Sequence, residues 1–154
     1  MSAALTAITF VFIAGDALAQ DAPIDGRFMP EWDRRPAAGG FARYYPRVAL
    51  GDGVPGVVQL CCDPNSARGI HCRVGFEWPE NFGFGEAAVS LSRDFRMTEA
   101  SYAAYQSTPG SWLQVPIIFR VHPQTGNFDI EDVQRRIREG TQGCTERAPG
   151  RRRS

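Results

Sequence analysis

Two short runs of alternating apolar and polar residues, joined by a dense cluster of turn formers, occupy the stretch 56–78, GVVQLCCDPNSARGIHCRVGFEW. Alternation at a period of two marks a strand with one face buried. Val58, Leu60 and Cys62 fall on one side of the first run, with Val57, Gln59 and Cys61 on the other. In the second run Ile70, Cys72, Val74, Phe76 and Trp78 share a side, while His71, Arg73 and Glu77 point away. The intervening Asp-Pro-Asn-Ser-Ala-Arg-Gly reverses the chain. A slip of one residue would turn one strand's apolar set outward, so Leu60 is expected opposite Val74 and Val58 opposite Phe76. That register puts Cys62 across from Cys72, at a spacing a disulfide can bridge. Closing so short a loop contributes roughly 2.5–3 kcal/mol in the chain-entropy model.

The rest of the chain is predicted to pack on this hairpin. Phe84, Ala87, Ala88, Leu91 and Phe95 recur at helical spacing and form one apolar stripe. Glu86 in the first turn and Arg93 and Arg96 in the last suit the helix dipole. Residues 111–121 form a third strand, with Val115, Ile117, Phe119 and Val121 facing one way and Gln114, Pro116 and Arg120 the other. A short helix over 129–138 is capped by Asp129 or Asn127 and stopped by Gly140. Tyr44–Ala49 reads as a helical turn ended by Gly51-Asp52-Gly53. Residues 98–110 read as a connector with a turn that stacks Tyr102 on Tyr105. Residues 20–42, rich in Pro and Gly, suggest a linker in which Trp32 docks onto the domain.

Strand, helix, strand with one crossover makes the third strand parallel to the second and antiparallel to the first. The expected fold is therefore α+β: a three-stranded antiparallel sheet in the order 2-1-3, a crossover helix on one face and a short C-terminal helix. The third strand lies on an edge. Pro116 agrees, because a strand proline is tolerated where its missing N–H faces away from the ladder.

Residues 1–19 have the form of a secretory signal: an apolar run from Leu5 to Gly15, then Ala17-Leu18-Ala19 as a cleavage pattern leaving Gln20 first. No positive charge precedes the run, so a short membrane anchor is the rival reading. Four cysteines in an exported chain favour disulfides. With Cys62 and Cys72 joined, Cys61 and Cys144 either pair, by laying the tail across the sheet, or stay free. A zinc site from Cys61, Cys62, His71 and Cys72 is disfavoured, since adjacent cysteines on opposite strand faces make poor co-ligands. Basic and acidic residues balance at 17 each, which gives no global field toward nucleic acid. His71 and His122 stand in no nucleophile–base pattern, and no phosphate loop or paired-carboxylate motif stands out, so no enzyme and no cofactor is expected.

The pieces YYPRVA at 44–49, GVVQL at 56–60, FGFGEAA at 82–88, FRM at 95–97 and GSWLQVPIIF at 110–119 together resemble the C-terminal domain of the TonB family of periplasmic energy transducers. The resemblance covers about residues 44–121. It implies a domain over 43–123, preceded by the signal (1–19) and linker (20–42) and followed by a helix and Arg-rich tail (124–154). It further implies a periplasmic peptide binder in which an extended segment of an outer-membrane receptor adds as a strand beside the third strand. Tyr44, Tyr45, Gln114, Pro116, Ile118 and Arg120 are the candidate contacts. Full transducers also meet inner-membrane motor proteins, a partnership that here requires an anchor. The competing use of the edge is a homodimer or a soluble periplasmic interaction module without energy coupling.

Overall fold

The computed structural model describes residues 27–120 and 129–145. The proposed signal at 1–19, residues 20–26 of the linker, Val121, His122, Asn127 and the tail from 146 lie outside these. In chain order the elements are β1 (Arg27–Phe28), β2 (Trp32–Arg34), α1 (Ala38–Tyr44), α2 (Arg47–Gly51), β3 (Gly56–Pro64) and β4 (Ile70–Trp78). There follow α3 (Phe84–Ser92), β5 (Arg96–Met97), α4 (Glu99–Gln106), β6 (Trp112–Phe119) and α5 (Ile130–Thr145).

β3 is buried from Gly56 to Cys62, because it has a strand on each side and a helix over each face. β4 and β6 flank it, both antiparallel. The expected order of the three main strands, with the first in the middle, is therefore present. One face of β3 and β6 presents Val58, Leu60, Cys62, Leu113, Val115, Ile117 and Phe119 to α3, whose Phe84, Ala88 and Leu91 are fully buried. At its end the rings of Tyr45, Phe84 and Phe119 meet at centroid distances of 5.3–5.7 Å. Burial of apolar side chains of this size supplies most of the driving force, about 1.5–3 kcal/mol each. α5 covers the opposite face, where Val57, Gln59 and Val133 are buried.

Several expectations are corrected. The sheet has a fourth strand: β1 pairs in parallel with the start of β6, Arg27 opposite Trp112 and Phe28 opposite Leu113, so the sheet is mixed, in the order β1-β6-β3-β4. Much of the expected linker is folded. Phe28 packs edge-on against Tyr105 at 5.3 Å, Trp32 lies 4.8 Å from Phe95, and the Glu31 N–H donates to Ser101 Oγ at 3.0 Å. These anchors are single residues whose partners lie some seventy positions away, and so they leave no local period. Tyr105 accordingly pairs with Phe28, and the connector after Thr98 is the helix α4, whose Ser101 N–H is capped by Thr98 Oγ1.

The third correction concerns register. Leu60 pairs with Val74 and Cys62 with Cys72 as expected, but Gln59 pairs with Phe76 and Val58 with Glu77. Gly75 is an extra residue in β4, a β-bulge, which shifts the alternation by one from there on. Phe76 and Trp78 therefore turn to the α5 side, where Phe76 meets Gly140 and the Arg136 guanidinium carbon sits 4.0 Å from the Trp78 ring centroid. Glu77 turns to the α3 side, and its Oε2 accepts the Gly85 N–H at 3.0 Å. α3 has Gly83 at its N-cap and no side-chain cap of its own. A carboxylate from the neighbouring strand fills that role, favoured by the positive end of the helix. Glu77→Ala is expected to destabilise the fold by about 1 kcal/mol, read by urea denaturation, whereas a residue pointing into solvent would give almost no change.

Lastly, Gly140 does not end α5, which continues to Thr145. A Cβ there would lie 2.6 Å from the Phe76 Cβ, so the glycine lets the helix sit against the strand. Asp129 caps it: its Oδ1 accepts the Glu131 N–H at 2.9 Å. Along the helix Asp132 pairs with Arg135 and Arg136. The hydrogen bond from Arg136, with the charges of both arginines, holds the Asp132 carboxyl below the ordinary aspartate range. A lowered value means a contribution present above the unfolded pKa of about 3.9 and lost as pH falls through the folded one. In an NMR titration Asp132 should have its midpoint below that of an unfolded aspartate, and Arg136→Ala should raise it.

Candidate peptide-binding edge

Past the two residues paired with β1, the outer border of β6 from Val115 to Phe119 has no strand partner among the described residues. It is a short edge, interrupted by Pro116, which pairs opposite Gln59 on the β3 side and has no N–H to offer on either. Hydrogen-bonding capacity left open on a strand border is a template for another backbone.

Two cavities lie along this border. One of about 390 Å³ is lined by Met29, Trp32, Arg35, Phe41, Phe95 and Pro116, among others. The other, of about 670 Å³, is lined by Phe41, Ala42, Tyr45, Leu50, Ile118 and Arg120. Phe41 walls both, 6.2 Å from the Phe119 ring. Two large apolar side chains that line these cavities are exposed: Met29 at 72% and Leu50 at 47%. The border thus runs beside an apolar trough with Arg120 at one cavity and Arg35 at the other.

The six candidate contacts are not equivalent. Pro116, Ile118 and Arg120 line the trough. Tyr45 is 7% exposed and its ring belongs to the aromatic cluster, though it also forms part of the larger cavity's wall. Its hydroxyl donates to the Val54 carbonyl at 2.6 Å, and burial pushes the phenol pKa up. Tyr44 is half-buried against the same core. Gln114 reaches the smaller cavity but is 8% exposed, with its Nε2 4.0 Å from Cys144 Sγ under α5. Trough residues Met29, Phe41 and Leu50 did not figure among the sequence candidates. A signal existed for one of them: Phe41 precedes Tyr44 and Tyr45 by three and four residues, the spacing of one helix face.

Both cysteine pairings occur. Cys62 joins Cys72 within the hairpin, and Cys61 joins Cys144, which ties the end of α5 to the central strand. The zinc alternative is thereby excluded for these residues, since their sulfurs are used in disulfides. His71 is exposed, opposite Asp63 in the hairpin. No helix among the described residues is long and apolar enough to cross a membrane.

A scan of family models, a search of curated proteins and a search of solved structures each found no match to this chain.

Proposed function

We propose that this protein is a non-enzymatic, exported module that binds an extended peptide by strand addition to the β6 border, in the manner of TonB C-terminal domains. The partner in this reading is a peptide segment of an outer-membrane receptor, met in the periplasm. The observation that carries it is the stretch 115–119, without a strand partner among the described residues and lying beside an apolar trough. A backbone adding there gains ladder hydrogen bonds while alternate side chains fill the trough, which is how β-augmentation divides affinity from specificity. Two disulfides fit an oxidising compartment. Relative to the sequence expectation, the usable edge is shorter, because Arg27 and Phe28 already hold its first two residues.

A few net hydrogen bonds at about 1 kcal/mol each, set against the cost of ordering the peptide, imply a modest affinity of order micromolar, near −8 kcal/mol. The test is a titration of the ¹⁵N-labelled protein with synthetic extended peptides of alternating aliphatic residues, taken from receptor N-terminal segments. Amides of 115, 117, 118 and 119 should shift together, and Ile118→Asp should weaken binding about tenfold or more, a loss of about 1.4 kcal/mol. No shift along β6 at peptide concentrations of about 1 mM, a binding free energy weaker than about −4 kcal/mol, would remove the proposal. A concentration-dependent shift in sedimentation without peptide would instead assign the edge to a homodimer, a pairing that Pro116 opposes.

A further inference from the structure

α5 is fastened to the sheet at its C-terminal end by the Cys61–Cys144 bridge. Its other holds on that face include buried Val133, the Gly140–Phe76 contact, Arg136 over Trp78 and a 3.4 Å hydrogen bond from Arg73 to the Cys144 carbonyl. The ion pairs of Asp132 with Arg135 and Arg136, and of Arg135 with Glu139, join residues of the helix to one another. They favour the helix without attaching it to anything.

Beneath α5 lies an observation that works against docking. Gln59 is fully buried, in register opposite Pro116 and Phe76, and among the described residues its Oε1 has no hydrogen-bond partner; its Nε2 reaches the Leu60 carbonyl at 3.3 Å. A buried amide oxygen without a donor disfavours the closed state, because water would satisfy it once the helix lifts. Gln114 sits on the same covered face. A surface built only to be permanently closed would be better served by leucine at both positions. The covalent tether and the unpaired amide thus oppose each other across one interface.

We propose that α5 is a cover governed by redox state: reduction of Cys61–Cys144 by a dithiol frees the helix from the sheet, while β3, β4, β6 and α3 stay folded. One thiolate of the dithiol attacks a sulfur of the bridge and expels the other protein sulfur, which takes up a proton. The second thiolate of the reductant then displaces the first protein sulfur. Two electrons pass to the protein, Cys61 and Cys144 end as thiols, and the dithiol ends as a disulfide. The second bridge has no such consequence. Cys62 and Cys72 already face each other in a paired hairpin, so opening that bond releases no element. The face uncovered carries Val57, Gln59, Phe76 and Trp78.

The test is hydrogen exchange of the full chain, oxidised and in excess dithiothreitol, with the Cys144→Ser protein alongside. Reduction should lower protection of α5 amides between 131 and 144 by about 100-fold or more, while β3 and β6 amides change less than about tenfold. Cys144→Ser should reproduce the reduced pattern without reductant, and Trp78 emission should shift to the red in both. Protection of α5 that survives reduction would overturn the proposal, as would a loss of protection shared equally by α5 and β3. If Cys144→Ser does not fold, the reduced natural protein gives the same decision alone. Peptide binding at β6 is not needed for any of these readings.

Discussion

Gly75→Val is expected to destabilise the protein by about 3 kcal/mol or more, among the larger effects a single substitution produces. The cause is not backbone freedom but space. A Cβ on residue 75 would lie 2.5 Å from Cys61 Sγ and 3.1 Å from Cys144 Sγ, with the Gln59 carbonyl at 3.3 Å. Both sulfurs are fixed by their shared bond, so neither can retreat as a flexible side chain would. The alternative is for β4 to abandon the bulge. That would return Phe76 and Trp78 to the α3 side and Glu77 to the α5 side, which strips the α3 N-terminus of its carboxylate and removes Arg136's ring partner. Either route is costly. Guanidinium denaturation read by Trp fluorescence measures it, with Gly39→Ala as the control: a Cβ there meets nothing within 4 Å, and its helical position favours alanine by up to about 1 kcal/mol. A Gly75→Val protein as stable as the parent would mean that the bulge and the buried sulfurs do not sit as described.

Phe84→Ala should cost about 3–5 kcal/mol, the range for emptying a fully packed aromatic site. Phe84 is 0% exposed, opens α3, and meets Tyr45 edge-on and Phe119 at a tilt of 36°. It also sets the sequence of β3 at a distance, since a Cβ on Gly56 would fall 2.5 Å from its ring. The two positions should therefore be coupled. Gly56→Ala alone should be strongly destabilising, and in the Phe84→Ala background it should cost much less, because the cavity accepts the added methyl. A double-mutant cycle in which the two effects add to within about 0.5 kcal/mol would show no such contact. Phe82, only partly buried at the edge of the same cluster, should lose far less on truncation.

What could be read from the chain followed from local period and from pairing. The alternation of Val58, Leu60 and Cys62 against Ile70, Cys72 and Val74 is enough to fix a hairpin, its register up to the bulge and the Cys62–Cys72 bond. The stripe of Phe84, Ala87, Ala88 and Leu91 is enough to place a helix over it, although α3 ends at Ser92, short of the Phe95 and Arg96 it was expected to include. The single crossover then gives the order of the three main strands. Gly75 marked where this reasoning would fail, since a glycine inside an alternating strand is a frequent site for a bulge. Which way it would resolve depended on Cys144, distant in sequence and held against it.

The candidate site was legible to a lesser degree. Pro116 pointed to an edge, but the sequence could not show that Arg27 and Phe28 cover its first two positions, or that Gln114 lies under α5. Phe28, Trp32 and Phe41 are isolated aromatics in a Pro- and Gly-rich stretch, and their burial is decided by partners brought from Tyr105, Phe95 and Phe119. The sequence by itself determined the hairpin, the crossover helix and the relative order of the three main strands, because the first two are dictated by side-chain period within some twenty residues and the third follows from a single crossover between them. Only the tertiary structure decided how much of the β6 border is open, which wall lines it and what α5 conceals, because those depend on contacts between single residues for which no period exists.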